Sequence, residues 1–195
     1  MLTALAMISV LSCEGAETVR AHLDREAHRA HTWDVAWGLG FGAAAIGYGA
    51  MAETRWEFGI DLDDKRVAGL WVGAAKAGIA SLSHLILPVR IARAPAATGD
   101  PCKDLAAAND ALEESARHER TTFWLSIAGA IALNGGGLLW LGLHDDAWKE
   151  GVISAAIGVP VSALHTWTLP RGATTWQIDA VATPAFTGLS ISGTF

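Results

Sequence analysis

The chain has 195 residues, of which 51% are hydrophobic and 17% are charged, and its mean hydropathy is +0.30. The formal net charge of −6, with no basic face in the sequence, excludes nucleic acid as an expected partner because the phosphates would be repelled. The charged residues cluster in four polar stretches separated by long apolar runs, which is typical of a membrane protein rather than of a globular one.

The first thirteen residues carry two open interpretations. Residues 2–12 form an apolar stretch with the length of a signal-peptide core, too short to span a bilayer. Basic residues do not precede it, and the run from Val10 to Cys13 resembles a degenerate bacterial lipobox. Residues 1–13 are therefore either a signal peptide, cleaved or lipidated, or a helix that packs on the membrane surface.

Four apolar runs follow a polar, helix-forming stretch over residues 14–32. They cover residues 35–52, 67–89, 121–143 and 152–169. Each reaches the minimum length for a hydrocarbon core about 30 Å thick. Tryptophans lie at the ends of these runs, where an amphipathic indole prefers the headgroup layer: Trp33, Trp37, Trp56, Trp71, Trp124, Trp140, Trp148 and Trp167. We therefore predict four membrane spans.

The spans read as two copies of one helical hairpin. At an offset of 81 residues, Ser81 falls on Ser162 and His84 on His165, and at an offset of 91, Trp33 falls on Trp124. We predict repeats over residues 14–95 and 96–171. A unit with two spans returns to its starting side, so both copies insert the same way round.

The tail, residues 172–195, alternates apolar and polar residues on both sides of a turn signal at Pro184. This pattern predicts a β-hairpin. The predicted fold class is an all-α membrane protein: a four-helix transmembrane bundle from a duplicated helical hairpin, with polar flanking helices and a short C-terminal β-hairpin.

Polar groups within or beside the spans are the candidate functional residues, because they are costly in lipid. His84 and His165 hold equivalent places, and two imidazoles on facing helices could bind haem axially. Hydrogen bonding to backbone or headgroups is the alternative, and we expect no cofactor otherwise and no metal site, since no further ligands accompany the pair.

Three buried polar candidates remain: Lys76, Asn134 and Asp34. Lys76 lies near mid-span, where it either pairs with Asp34, bonds Asn134 or extends toward the interface. Asn134, beside three glycines, either joins helices or marks a break that faces a cavity. Catalytic motifs are absent from the sequence, so we expect a non-enzyme and assign no catalytic residue.

The segments Ala36-Trp37-Gly38-Leu39-Gly40 and Leu133-Asn134-Gly135, with the repeated His-to-Pro ending, resemble exported membrane proteins of myxobacteria to which no activity is assigned. The resemblance implies a bacterial envelope membrane, and we expect the inner one. Positive-inside counting puts nine Lys and Arg on the side of the tails and the central connector, residues 91–120, against four on the other side. A cleaved signal instead places the side of the tails and connector outside. We favour both termini outside the cytoplasm.

Three functional hypotheses follow. The first is a structural or interaction component of the envelope membrane, with lipid and an envelope protein or a second copy as partners. The second is a bis-histidine redox protein that uses His84 and His165. The third is a small carrier built around Lys76 and Asn134.

Overall fold

The computed structural model describes residues 15–57, 59–175, 177–183 and 186–192. This part of the chain is dominated by four long helices: α1 (Ala16–Thr54), α2 (Asp64–Ile86), α3 (Pro101–His144) and α4 (Trp148–Trp167). A short helix α5 (Gly172–Thr175) follows. Residues 1–13, to which the signal-peptide hypothesis applies, lie outside the described residues.

Two antiparallel strand pairs complete the secondary structure. Strands β1 (Trp56–Glu57) and β2 (Ile60–Asp61) pair between α1 and α2. Strands β3 (Gln177–Thr183) and β4 (Phe186–Ser192) pair in the tail, with Gln177 opposite Ser192 and Thr183 opposite Phe186.

Local chemistry explains where the helices begin and end. Asp63 caps α2, since its side chain accepts a hydrogen bond from the backbone three residues on, at 2.8 Å. Asp100 plays the same part for α3, and Pro101 follows it at the first helical position, where a missing N–H costs nothing. Helices α2 and α4 stop just before Pro88 and Pro170, which cannot continue a helix.

Helices α1 and α3 are longer than the predicted spans. The polar stretch 14–32 and the first span 35–52 belong to one helix, and the central connector is helical from Pro101 onward into the third span. The structure therefore differs from the separate polar flanking helices of the prediction. The change from polar to apolar side chains alters the surroundings that the helix prefers, but it does not alter the helical backbone conformation. Neither Pro nor Gly lies at either junction to break the helix.

The chain divides into two compact units. Unit 1 takes the described residues up to 31, residues 89–121 and the described residues from 170 onward. It has an ordinary apolar core in which Val19, Leu23, Ala108, Leu112 and Ala173 are buried together. The polar stretch over residues 14–32 thus contributes Val19 and Leu23 to the inside of a small helical unit.

Unit 2, residues 32–88 and 122–169, carries large apolar side chains on its outside. Leu85, Leu143 and Trp167 are each at least three-quarters exposed. Helices α1 and α3 are long and apolar enough to cross a membrane by length and composition, and only 6% and 17% of their most apolar stretches are buried. The corresponding residues of a water-soluble core helix would be mostly buried.

Candidate functional site

Helices α2 and α4 pack side by side in unit 2. Three pairs of residues that are 81 positions apart touch: Lys65 with Asp146, Gly69 with Glu150, and His84 with His165. The stretch from Lys65 to His84 rises about 28 Å along a helix. Since the same offset makes contact at both ends of it, α2 and α4 run in the same direction and in register.

A hydrogen-bonded chain of three side chains occupies one end of this pair. Asp34 Oδ1 of α1 lies 2.9 Å from His84 Nδ1, and His84 Nε2 lies 3.2 Å from His165 Nε2. Asp34 and His84 are both buried. A neutral His84 that donates from Nδ1 to the carboxylate accepts at Nε2, so in that state the hydrogen between the two rings belongs to His165.

Aromatic rings surround the two imidazoles. The ring centroids of Trp33, Trp37 and Phe41 lie 4.6, 5.1 and 5.8 Å from that of His165. Two imidazole nitrogens on opposite sides of one metal ion would stand about 4 Å apart, because each metal–nitrogen bond is about 2 Å long. The observed 3.2 Å is a hydrogen-bond distance. This arrangement does not fit a haem iron between the two rings.

A cavity of about 320 Å³ lies farther along the same helices. Most of its wall is apolar, and on α2 it extends from Arg66 to Ala80, a rise of about 21 Å. Arg66 and Glu150 line it where α2 and α4 begin, together with Tyr48 of α1. The cavity is therefore elongated, charged where the two helices begin and mainly apolar along its length.

Lys76 is the cation in the middle of this cavity. Its ammonium donates to Ser154 Oγ at 3.0 Å and approaches the Ser154 carbonyl at 3.5 Å. Among the described residues it has no carboxylate within ion-pair distance. Ordinarily a charged group among apolar side chains is paired or faces a water-filled space.

Asn134 lines the cavity from α3 and is only 6% exposed. Its Nδ2 donates to the Ala130 carbonyl at 3.0 Å and to Ser162 Oγ at 3.2 Å. Its Oδ1 is buried and accepts no hydrogen bond from the described residues. A buried acceptor without a donor costs about 1–3 kcal/mol, so this oxygen is a place where a ligand or water would gain a hydrogen bond.

Gly158 makes the approach of these groups possible. A methyl group at position 158 would collide with Asn134 Oδ1 and lie 3.2 Å from Lys76 Nζ. The side chain missing at Gly158 thus leaves space into which both the amide oxygen and the ammonium project.

The sequence-predicted candidates fall into two groups. His84, His165 and Asp34 form the hydrogen-bonded chain, whereas Lys76 and Asn134 line the cavity. Of the alternatives for Lys76, the ion pair with Asp34 does not form, because that carboxylate is directed to His84.

Sequence reasoning missed three residues of the site. Ser154 and Ser162 are the cavity's hydroxyl partners, and Glu150 brings a carboxylate to its charged end. Ser162 had a signal, since it is the counterpart of Ser81 at the offset of 81. Ser154 had none, because a serine in an apolar helix is commonplace.

No protein-family model matches the chain, and neither a curated protein nor a solved structure is significantly similar to it.

Proposed function

We propose that the chain is an integral protein of a bacterial envelope membrane, in which unit 2 is the membrane-embedded part and unit 1 the water-facing part. The outside of unit 2 supports this, since exposed apolar surface on such a scale marks contact with lipid or with another protein. All four long helices then serve as spans, including α2 and α4, and β3–β4 form the C-terminal hairpin of the water-facing part.

We further propose that the four spans descend from a duplicated hairpin. Each half of the chain has a long helix followed by a short one, of 39 and 23 residues and then of 44 and 20. Contacts between equivalent residues of α2 and α4 are what a two-fold axis between two copies produces, because residues near the axis meet their own counterparts. With α2 and α4 parallel, the axis lies along the membrane normal.

The geometry best supports a small carrier. Such a protein would be embedded in the membrane, bind its ligand in the cavity around Lys76 and Asn134, and pass it through that cavity. One observation carries this proposal: among the described residues, the buried Asn134 Oδ1 has no donor, and the Lys76 ammonium in the same cavity has no carboxylate within ion-pair distance. A site used only for packing would gain by filling this space or pairing these groups.

The histidine pair is less suited to the redox hypothesis, because the imidazoles are bonded to each other rather than spaced for iron. The interaction hypothesis requires a docking surface on unit 1, and the described residues do not identify such a surface. Both hypotheses therefore rank behind the carrier.

Thiol labelling in lipid vesicles tests the carrier proposal, because a carrier's cavity must be reached from water. With Cys13 and Cys102 replaced by serine, Ser154→Cys should react with an anionic methanethiosulfonate reagent. Ile131→Cys is the matched control, since Ile131 is an exposed apolar residue of α3 and should face lipid. A mass spectrum of each variant reports the reaction.

The additional change Lys76→Met should slow the reaction of Ser154→Cys with the anionic reagent and leave a neutral one unaffected, because the ammonium attracts anions into the cavity. If Ser154→Cys proves as unreactive as Ile131→Cys, the cavity is closed to water and the carrier proposal fails.

A further inference from the structure

The cavity holds two polar groups of opposite hydrogen-bonding character, an ammonium donor and an amide acceptor. Lys76 Nζ is a charged donor whose described partners, the hydroxyl and carbonyl of Ser154, are neutral. Asn134 Oδ1 is an acceptor to which none of the described residues donates. Both lie beside Gly158, whose missing side chain leaves the room that they occupy. A ligand that satisfies both must present an anionic acceptor and, next to it, a hydroxyl or N–H donor.

The rest of the cavity wall indicates the chemical character of the rest of the ligand. Beyond Lys76, Asn134 and the two serines, the lining on the side away from Arg66 and Glu150 is formed by aliphatic side chains and Phe41. Transfer of an apolar group from water into such a space is favourable, whereas a second charged group would find no partner there. The ligand is therefore amphiphilic, with its polar groups at one end.

We propose that the cavity binds an amphiphilic organic anion with a donor beside its carboxylate, as in a 2-hydroxy acid. Lys76 pairs with the carboxylate, and Asn134 Oδ1 accepts from the neighbouring hydroxyl. This inference rests on the proposed function and names the ligand class of the same site.

The cavity volume sets a lower bound on what can bind. A cavity of about 320 Å³ has room for a medium-chain acid such as 2-hydroxyoctanoate, which serves as the probe.

Calorimetry on the full chain in phosphatidylcholine nanodiscs tests the proposal with three probes of equal chain length: 2-hydroxyoctanoate, octanoate and octylamine. Empty nanodiscs supply the background from partition into lipid. We expect 2-hydroxyoctanoate to bind tightest and octanoate to bind about three- to tenfold more weakly, since it lacks one hydrogen bond. Octylamine should not exceed the background.

Two variants assign the two contacts. Lys76→Met should weaken both acids about tenfold or more, because the bond to a charged group is lost. Lys149→Met, which removes an exposed lysine of α4, is the matched control and should bind as the unaltered chain does. Asn134→Leu should abolish the difference between the two acids, which provides an independent test if the lysine variant fails to fold.

The outcomes separate the ligand class from the proposed function. Equal affinity for both acids overturns the role of the donor, and binding of octylamine in preference to the acids overturns the anionic class. Acid binding that is unchanged in Lys76→Met also overturns the proposal. Labelling of Ser154→Cys shows separately whether the cavity is open, so a wrong ligand class is distinguishable from a wrong function.

Discussion

Asp104 holds the loop that precedes α3 through one buried carboxylate. It accepts hydrogen bonds from the amide and the hydroxyl of Thr98, both at 2.8 Å, and from the Gly99 amide at 3.3 Å. Arg20 lies 3.7 Å from the same carboxylate. The Thr98 amide is the main reason why the pKa of Asp104 is lowered from its ordinary value of 3.8, and the arginine adds to the effect.

This lowered pKa predicts that the loop weakens in acid. Because the pKa of Asp104 is lower in the folded chain than in the unfolded one, its stabilising contribution is complete above about pH 3.8 and is lost as the pH falls through the folded value. Protection of the Thr98 and Gly99 amides against hydrogen exchange, corrected for the intrinsic rate, should fall between pH 5 and pH 2.

Asp104→Asn should remove this pH dependence, whereas Asp110→Asn, a change at an exposed acid of the same helix, should keep it. Equal protection of the two amides at pH 5 and pH 2 in the unaltered chain would contradict the assignment.

Individual site residues differ in how far the sequence could reveal them. Lys76 and Asn134 were visible because a charge or an amide within an apolar run is rare. Glu119 could not be recognised in the same way. It is fully buried in unit 1, and one of its oxygens accepts a hydrogen bond from the Ala173 amide at 3.1 Å. It lies in a polar stretch, where an acid is expected to face water, and only the folded contact with α5 explains its burial.

At the scale of elements, the relation between α2 and α4 is the most informative feature of the molecule. The sequence predicts their equivalence from matched serines and histidines, and the contacts at a constant offset of 81 show that the two helices are parallel. The joining of polar stretches to spans in α1 and α3 could not be predicted from hydropathy, which reports the surroundings of a helix and not its continuity.

The parallel register predicts which engineered disulfide will form. A Cβ at position 69 would lie 3.3 Å from the Glu150 Cβ, close to the separation of 3.5–4.5 Å that a disulfide requires. Gly69→Cys combined with Glu150→Cys should therefore cross-link on mild oxidation, with Cys13 and Cys102 replaced by serine. Electrophoresis after proteolysis between the two positions detects the bond.

Gly69→Cys combined with His165→Cys is the matched control, since these positions are about 22 Å apart along parallel helices. Cross-linking of the control in place of the first pair would show that α2 and α4 run in opposite directions.

At the scale of the whole molecule, the two units differ in what they expose. Unit 1 buries its apolar side chains around Val19 and Leu23, as water-soluble helices do, whereas unit 2 exposes residues such as Leu39 and Ile46. The contrast follows from the sequence, in which polar and apolar stretches alternate. Which segments make up unit 1 does not follow from the sequence, because three segments distant along the chain form it through contacts that no local pattern specifies.

Labelling in sealed vesicles of one orientation tests whether four spans form two hairpins inserted the same way round. Cysteines are introduced singly at Asp24, Lys103 and Asp146, with Cys13 and Cys102 replaced by serine, and a membrane-impermeant maleimide is added from one side. We expect Asp24→Cys and Lys103→Cys to react from the same side and Asp146→Cys to react from the other. Reaction of Asp24→Cys and Lys103→Cys from opposite sides, or of all three from the same side, would contradict this arrangement.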